Sequence, residues 1–412
     1  MITPAEFPYI TSIHVNDCYT YQNFDIDLVK HQPFSHLILT GKNGSGKSTI
    51  LKNLDLHITS LFHNNENIEL NDSINKLKKE IKRLENSNPT SNQSQANDLK
   101  NILKTFGRLL ITFSIQDNVY FNNRKRFIYS YLSPIRNSKV NNVLSPTKQD
   151  EFERQLTQNK TSSEYFIKNF KQFLVNRKVN QAFAQLRNNK EEIEKTNTFF
   201  EGIESIFGEI FEDKNLKLIF VEDSYEFFIQ LNDGRQLTFD ILPDGFSAFL
   251  SILMDLFTRL DLIRKSVGNF TYDPCGIVLI DEPETHLHLS LQYQVLPILT
   301  KLFPNVQFIV ATHSPAVISS IKNVTVFDLT SKEVMSDEAV GKSFSELMVS
   351  HFGLDNEFSN VADGIFDKFN AIIKEYRGNI PQRNAKLKEL LNENEKYISP
   401  TMRFELEAKL SE

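Results

Sequence analysis

At 412 residues the chain is long enough for two or three structural units and a large buried core. Its 40% hydrophobic and 24% charged content is that of a globular protein, and a net charge of −6 argues against general electrostatic affinity for nucleic acid while leaving room for a local basic patch. Cys18 and Cys275, far apart and outside any CxxC, point to a reducing compartment and away from a zinc site; with no apolar run of membrane-span length and no signal-peptide pattern in MITPAEFPYI, the expectation is a cytoplasmic protein that does not enter a membrane.

The first stretch reads as strands at Ile10 to Val15, Tyr21 to Leu28 and Leu37 to Leu39. The third ends at a glycine-rich loop, and Ser48 to Leu56 is helical in character. Ile74, Leu77, Ile81 and Leu84 recur at 3-4-3 spacing among Lys76, Lys78, Lys79, Glu80, Lys82, Arg83 and Glu85, which predicts an amphipathic helix. At 1.5 Å per residue that helix reaches about 20 Å, too short for a DNA-bridging arm. The polar run from Asn86 to Asn97 predicts a loop, and Leu99, Ile102, Leu103 and Phe106 a second helix, together a helical hairpin. Residues 109–132 return to strands (LLITFSI, VYF, RFIYSYL). Residues 150–208 are expected to be helical, with Phe166, Phe170, Phe173 and Leu174 on one face. Residues 216–241 alternate as strands, with a hairpin turn at Asn232-Asp233-Gly234. Gly245 to Leu262 reads as an apolar helix. The unbroken apolar runs GIVLI (276–280) and VQFIVAT (306–312) are what buried parallel strands require, and residues 340–412 read as mostly helical.

Four motifs carry chemistry. Gly41-Lys42-Asn43-Gly44-Ser45-Gly46-Lys47-Ser48 completes the phosphate-binding pattern GxxxxGK[ST], between a strand and a helix. Its glycines let backbone N–H groups from Asn43 through Thr49 turn toward phosphate oxygens, and the helix N-terminus adds a favourable dipole. Lys47 brings positive charge to the β- and γ-phosphates, and Ser48 can ligate Mg²⁺. In the second motif, a buried strand runs into Asp281-Glu282-Pro283. Asp281 is expected to hold Mg²⁺ through water and Glu282 to orient and polarise the attacking water. The third, Ala311-Thr312-His313-Ser314-Pro315, ends the next apolar strand, where His313 either contacts the γ-phosphate or serves a structural role. The fourth, Leu242-Pro243-Asp244-Gly245-Phe246, leads into a helix and is either a nucleotide contact or an ordinary β-to-α turn.

The order GKNGSGKST, LPDGFSAFL, VLIDEPETHLH, ATHSP resembles the ABC ATPases of the RecF/OLD class, and within it the stand-alone ATPases of bacterial anti-phage systems, the Septu and retron-linked type. The resemblance covers residues 8–56 and 240–320, touches Phe127 to Arg136 (FIYSYLSPIR) in the Q-loop region, and extends to a helical tail after the histidine motif. It implies an α/β fold, an ABC-type P-loop ATPase with a mixed sheet core, a helical insertion and a helical C-terminal tail. The expected divisions are residues 1–56 with the Walker A loop, 57–208 as insertion, 209–335 with signature, Walker B and histidine motifs, and 336–412 as tail. It also implies that Pro243, Asp244 and Gly245 form a signature loop that caps ATP held by a second copy, with Gly245 giving close backbone approach and Ser247 a hydroxyl. Head-to-tail pairing into a homodimer or higher homo-oligomer follows. His286 and His288 fall where the family has a D-loop, with a metal site formed together with Glu284 as the alternative. The Q-loop glutamine is not evident; Gln116 is a poor candidate, and Arg136 either serves there or lies on the surface.

No second catalytic centre is legible. The residues after Pro315 lack the strand-and-acid pattern of a Toprim domain, and the nine histidines do not form an HNH cluster. The expectation is an ATP- and Mg²⁺-dependent switch acting on a separate effector protein, a nuclease or toxin. A RecF-like DNA-repair or DNA-end ATPase is the alternative, so nucleic acid stays open as a partner, and a scaffold that binds ATP without turnover is the third reading.

Overall fold

The computed structural model describes residues 7–18, 21–63, 70–86, 95, 97–100, 108–115, 126–148, 152–154, 162–269, 271–335, 341, 346–348 and 360–411, in two compact units, Met1–Lys342 and Ser343–Glu412. In chain order the strands of the first unit are β1 (Ile10–Cys18), β2 (Tyr21–Asp27), β3 (His36–Thr40), β4 (Leu109–Phe113), β5 (Phe127–Leu132), β6 (Lys217–Val221), β7 (Glu226–Gln230), β8 (Gln236–Leu237), β9 (Cys275–Asp281), β10 (Val306–Ala311), β11 (Val324–Asp328) and β12 (Glu333–Val334). Its helices are α1 (Lys47–His63), α2 (Leu70–Asn86), α3 (Ser163–Lys168), α4 (Phe170–Leu186), α5 (Lys190–Ile210), α6 (Asp244–Val267), α7 (Leu289–Leu302) and α8 (Pro315–Ile318). The second unit holds α9 (Asn360–Glu375), α10 (Ile380–Glu393) and α11 (Pro400–Ser411).

The centre of the first unit is a six-stranded sheet in the order β12-β11-β3-β10-β9-β5, parallel except for β12. Every residue of β3, β9, β10 and β11 is buried, which is why their sequences run apolar without alternation. Parallel strands present their C-terminal ends at one edge, so the chain leaves β3, β9 and β10 into neighbouring loops. Two antiparallel sheets accompany it, β2-β1-β4 and β6-β7-β8. The first is tied to the parallel sheet by the buried Gln307 of β10. Its Nε2 donates to the carbonyls of Ile10 (2.9 Å) and Ser35 (2.8 Å), and its Oε1 accepts from Ile10 N (2.8 Å). A buried amide is tolerated because its donors and acceptor are met.

The α/β class and mixed sheet read from the sequence are observed. Helix α6 is buried along most of its length from Ser247 to Arg259 and closes on Gly268 at φ +70°, where the N–H groups of Gly268 and Asn269 return to Lys265 and Arg264. Phe166, Phe170, Phe173 and Leu174 are all buried. The Asn232-Asp233-Gly234 turn joins β7 to β8, with Gly234 at φ +87°. The expected strand QLTFDI is realised only at Gln236–Leu237. Phe239–Ile241 forms a 3₁₀ turn, because Phe239 turns inward against Phe170 and Phe207 while its carbonyl accepts from Ser138 Oγ at 2.6 Å. Helix α2 carries the expected seam, with Ile81 and Leu84 buried. The predicted loop, much of the second hairpin helix, the VYF strand and Gln116 lie wholly or largely outside the described residues. In the second unit, Ile365 and Phe369 of α9, Leu387 of α10, and Met402 and Leu406 of α11 form one apolar core.

Candidate functional site

The loop after β3 is shaped by glycines in backbone conformations that other residues resist: Gly41 at φ +130°, Gly44 at +79° and Gly46 at +83°. A Cβ on Gly41 would come within 2.9 Å of Asp328 Oδ1 and Thr330 Oγ1, so close packing against the end of β11 also requires it. Asn43 and Gly44 are exposed at the tip, while Ser45 and Lys47 are buried. Lys47 folds over its own loop: Nζ donates to the Gly41 carbonyl at 3.0 Å and lies 3.4 Å from Nδ1 of His313. Burial lowers its pKa, opposed by the charges of Glu282, Asp281, Glu284 and Asp328. Thr49 follows Ser48 in the first turn of α1, and its carbonyl accepts from Asn53.

Strand β9 delivers Asp281 to this loop. Ser48 Oγ donates to Asp281 Oδ1 at 3.0 Å, and Asp281 Oδ2 is buried with no hydrogen-bond partner. Burial raises the Asp281 pKa against the pull of Ser48, Lys52, Arg136 and Lys47. The next residue, Glu282, takes φ +50°, a left-handed conformation that a glutamate adopts only when its surroundings hold it there. Its N–H bonds the Ala311 carbonyl at 2.8 Å. Arg136 grips the same turn with a fork: Nη1 donates to the Asp281 carbonyl and Nη2 to the Glu282 carbonyl, each at 2.8 Å. The open question about Arg136 is thereby answered in part, since it is a scaffold for the acid pair and not a free surface charge. Burial pushes the Glu282 carboxyl up to about 8, reinforced by the neighbouring Glu284 carboxylate, whose charge disfavours a second one beside it.

The histidine motif completes the cluster. His313 stands between the lysine and the acid, with Nε2 3.5 Å from Glu282 Oε1 and Nδ1 facing Lys47. Burial and the Lys47 charge lower its pKa, which favours the neutral ring. Glu284, which the sequence reading passed over except as a weak metal candidate, accepts on one oxygen from Thr312 Oγ1, His313 N (3.0 Å) and Ser314 N (3.2 Å). The only sequence signal was a third acid after the pair; the partner loop could not be read from spacing.

Lys47, Ser48, Asp281, Glu282 and His313 are therefore brought together. Pro243, Asp244 and Gly245 are not part of this cluster within one chain. Pro243 and Asp244 are exposed at the start of α6. Gly245 packs so tightly on the turn after β9 that a Cβ would lie 2.3 Å from the His286 carbonyl. Its lack of a side chain is thus required inside the chain, independently of any nucleotide contact. The expected Ser247 hydroxyl is also engaged internally: it accepts from Ser138 N at 2.8 Å and pairs with Ser138 Oγ at 2.9 Å, so burial withdraws it from ligand contact. His286 lies at φ +63°, and among the described residues no group of three His, Cys, Asp or Glu side chains could hold a metal by itself.

The cluster offers hard oxygen donors, a buried ammonium, a carboxylate and a neutral imidazole around one loop. The orphaned Asp281 Oδ2 beside Ser48 Oγ suits a small divalent cation completed by water and phosphate oxygens. No helix among the described residues is long and apolar enough to cross a membrane.

The chain is 34% identical over 137 residues to the retron Ec83 probable ATPase of Escherichia coli, covering 33% of this chain and 24% of that protein. It is 34% identical over 91 residues to the retron Vc95 probable ATPase of Vibrio cholerae serotype O1 biovar El Tor, covering 22% and 18%. It is 23% identical over 299 residues to the Septu protein PtuA of Bacillus thuringiensis, covering 69% and 67%. The matches to the two retron proteins thus span a quarter or less of those proteins' lengths. Among solved structures, an SMC head bound to the C-winged helix domain of ScpA is similar at 17% identity and TM-score 0.37, covering 80% of this chain and 95% of that one. The relatives bear out the resemblance to retron-linked and Septu ATPases carried by the four motifs. A family model described as "AAA domain, putative AbiEii toxin, Type IV TA system" matches residues 37–319, well over half of the sequence, and the chain belongs to this AAA-domain family.

Proposed function

We propose that this chain binds ATP with Mg²⁺, hydrolyses it, and uses the cycle as a switch on a separate effector protein in anti-phage defence. The observation that carries the reading is the convergence of Lys47, Ser48, Asp281, Glu282 and His313 on one loop. Bound Mg²⁺ would supply Lewis-acid stabilisation of phosphate charge. The chain's part is to bind and orient. The N–H groups of Asn43 to Thr49 cradle phosphate oxygens, and the Lys47 ammonium, now turned onto the Gly41 carbonyl, is redirected to phosphate. Ser48 and Asp281 would hold the metal. Glu282, at the end of the fork made by Arg136, aligns water and in its ionised form takes its proton, and His313 reports the γ-phosphate.

Pro243, Asp244 and Gly245 stand outside this cluster, which supports a site completed by a second copy: the exposed start of α6 in one protomer would meet the Walker A loop of the other. Hydrolysis then loosens the pair, a nucleotide-controlled switch. The test is steady-state hydrolysis by the purified chain and by Glu282→Gln, with light scattering. Turnover by the wild type and an ATP-trapped dimer of the variant are expected; binding without turnover in the wild type would leave only a scaffold. A DNA-dependent reading draws on the exposed basic residues Lys76, Lys78, Lys79 and Lys82 of α2 and predicts hydrolysis stimulated by DNA.

A further inference from the structure

We propose that Glu284 is a positioning residue that holds His313 in register with Glu282, an inference that rests on the hydrolytic reading above. Strands β9 and β10 run parallel with Ala311 opposite Asp281, so the loops that leave them are neighbours. Glu284, on the first loop, spends one carboxylate oxygen on three donors from consecutive residues of the second: the Thr312 hydroxyl and the N–H groups of His313 and Ser314. Such a clasp on a buried carboxylate fixes the backbone from which His313 projects. Among the described residues the imidazole is held by neither a backbone carbonyl nor a structural side chain; its two nitrogens face Lys47 and Glu282. The ring's placement is therefore inherited from the main chain beneath it, and Glu284 holds that main chain at the His313 N–H. The residues on either side have anchors besides Glu284, Thr312 N donating to the Leu39 carbonyl at 3.0 Å and the Ser314 hydroxyl to Gln292 at 2.6 Å, so among the described residues the His313 N–H is the group that rests on Glu284 alone.

The experiment compares ATP turnover and nucleotide affinity across Glu284→Ala, Glu284→Gln, His313→Ala and the double variant Glu284→Ala/His313→Ala. Gln keeps the accepting oxygen and removes the charge, so it separates the clasp from simple electrostatics on Glu282. Glu284→Ala is expected to lower kcat by about 10- to 100-fold, the scale of a displacement near 1 Å, with KM changed by less than about 2-fold. Glu284→Gln is expected to restore most of kcat, and Glu284→Ala to cost nothing further once His313 is gone. Equal loss in the Ala and Gln variants, or additive loss in the double variant, overturns the inference. Should Glu284→Ala not fold, Thr312→Val removes one donor alone and is expected to lower kcat by a few-fold at constant KM; an unchanged kcat overturns the inference. A wild type that turns over ATP while Glu284→Ala matches it defeats this inference only; a wild type with no turnover defeats the hydrolytic reading and this one with it.

Discussion

Ser48 and Asp281 are joined by a 3.0 Å hydrogen bond through only one of the two carboxylate oxygens, and the other is buried without a donor. An uncompensated buried acceptor costs free energy, and a divalent cation relieves it. Asp281→Asn preserves volume and removes the charge. Hydrolysis supported by Mg²⁺ is expected to fall by about 100-fold or more, and titration calorimetry should find nucleotide affinity no longer sensitive to chelator.

Lys47→Ala should abolish nucleotide binding in a fluorescent-analogue titration, because no other buried ammonium among the described residues approaches this loop. Glu282→Gln should instead bind normally and lower turnover by about 100-fold or more, the weight of a general base. The two variants thus separate binding from chemistry.

Gly245→Ala places a Cβ 2.3 Å from the His286 carbonyl, a backbone atom that cannot swing away. Overpacking of this kind costs about 1–3 kcal/mol, so the thermal midpoint should fall. Gly202 in α5 is the control: a Cβ there meets nothing within 4 Å. Gly202→Ala should raise stability by about 0.5–1 kcal/mol through helix propensity.

Burial pushes both His36 and His57 down to about 4. His36 accepts the Phe308 N–H on Nδ1 at 3.0 Å, which protonation would end. Because the folded pKa lies below the unfolded one, the neutral rings contribute stability that is present above pH 6.5 and lost as pH falls toward 4. By pH 5 the loss is about 2 kcal/mol per histidine. Urea unfolding of His57→Leu should therefore depend less on pH between 7 and 5 than that of the wild type.

The parallel strands and the phosphate loop were legible because each is a local pattern: GIVLI and VQFIVAT are buried on both faces, and the loop is a contiguous run. Helix α6 was legible from its continuous apolar content. What could not be read was any relationship carried by backbone atoms across the sheet. Arg136 binds two carbonyls more than a hundred residues away, and Glu284 binds two N–H groups; neither partner has a letter in the sequence. Ser247 was misread for the same reason, since its neighbour Ser138 arrives from a distant loop and buries it. The strand expected at TFDI failed because tertiary burial of Phe239 overrode alternation.

The guanidinium fork of Arg136 recognises peptide oxygens at positions 281 and 282, indifferent to which side chains those positions bear. Replacing either acid should leave the architecture standing while silencing turnover. A lineage with this arginine can therefore lose either acid and still keep the turn that once presented it.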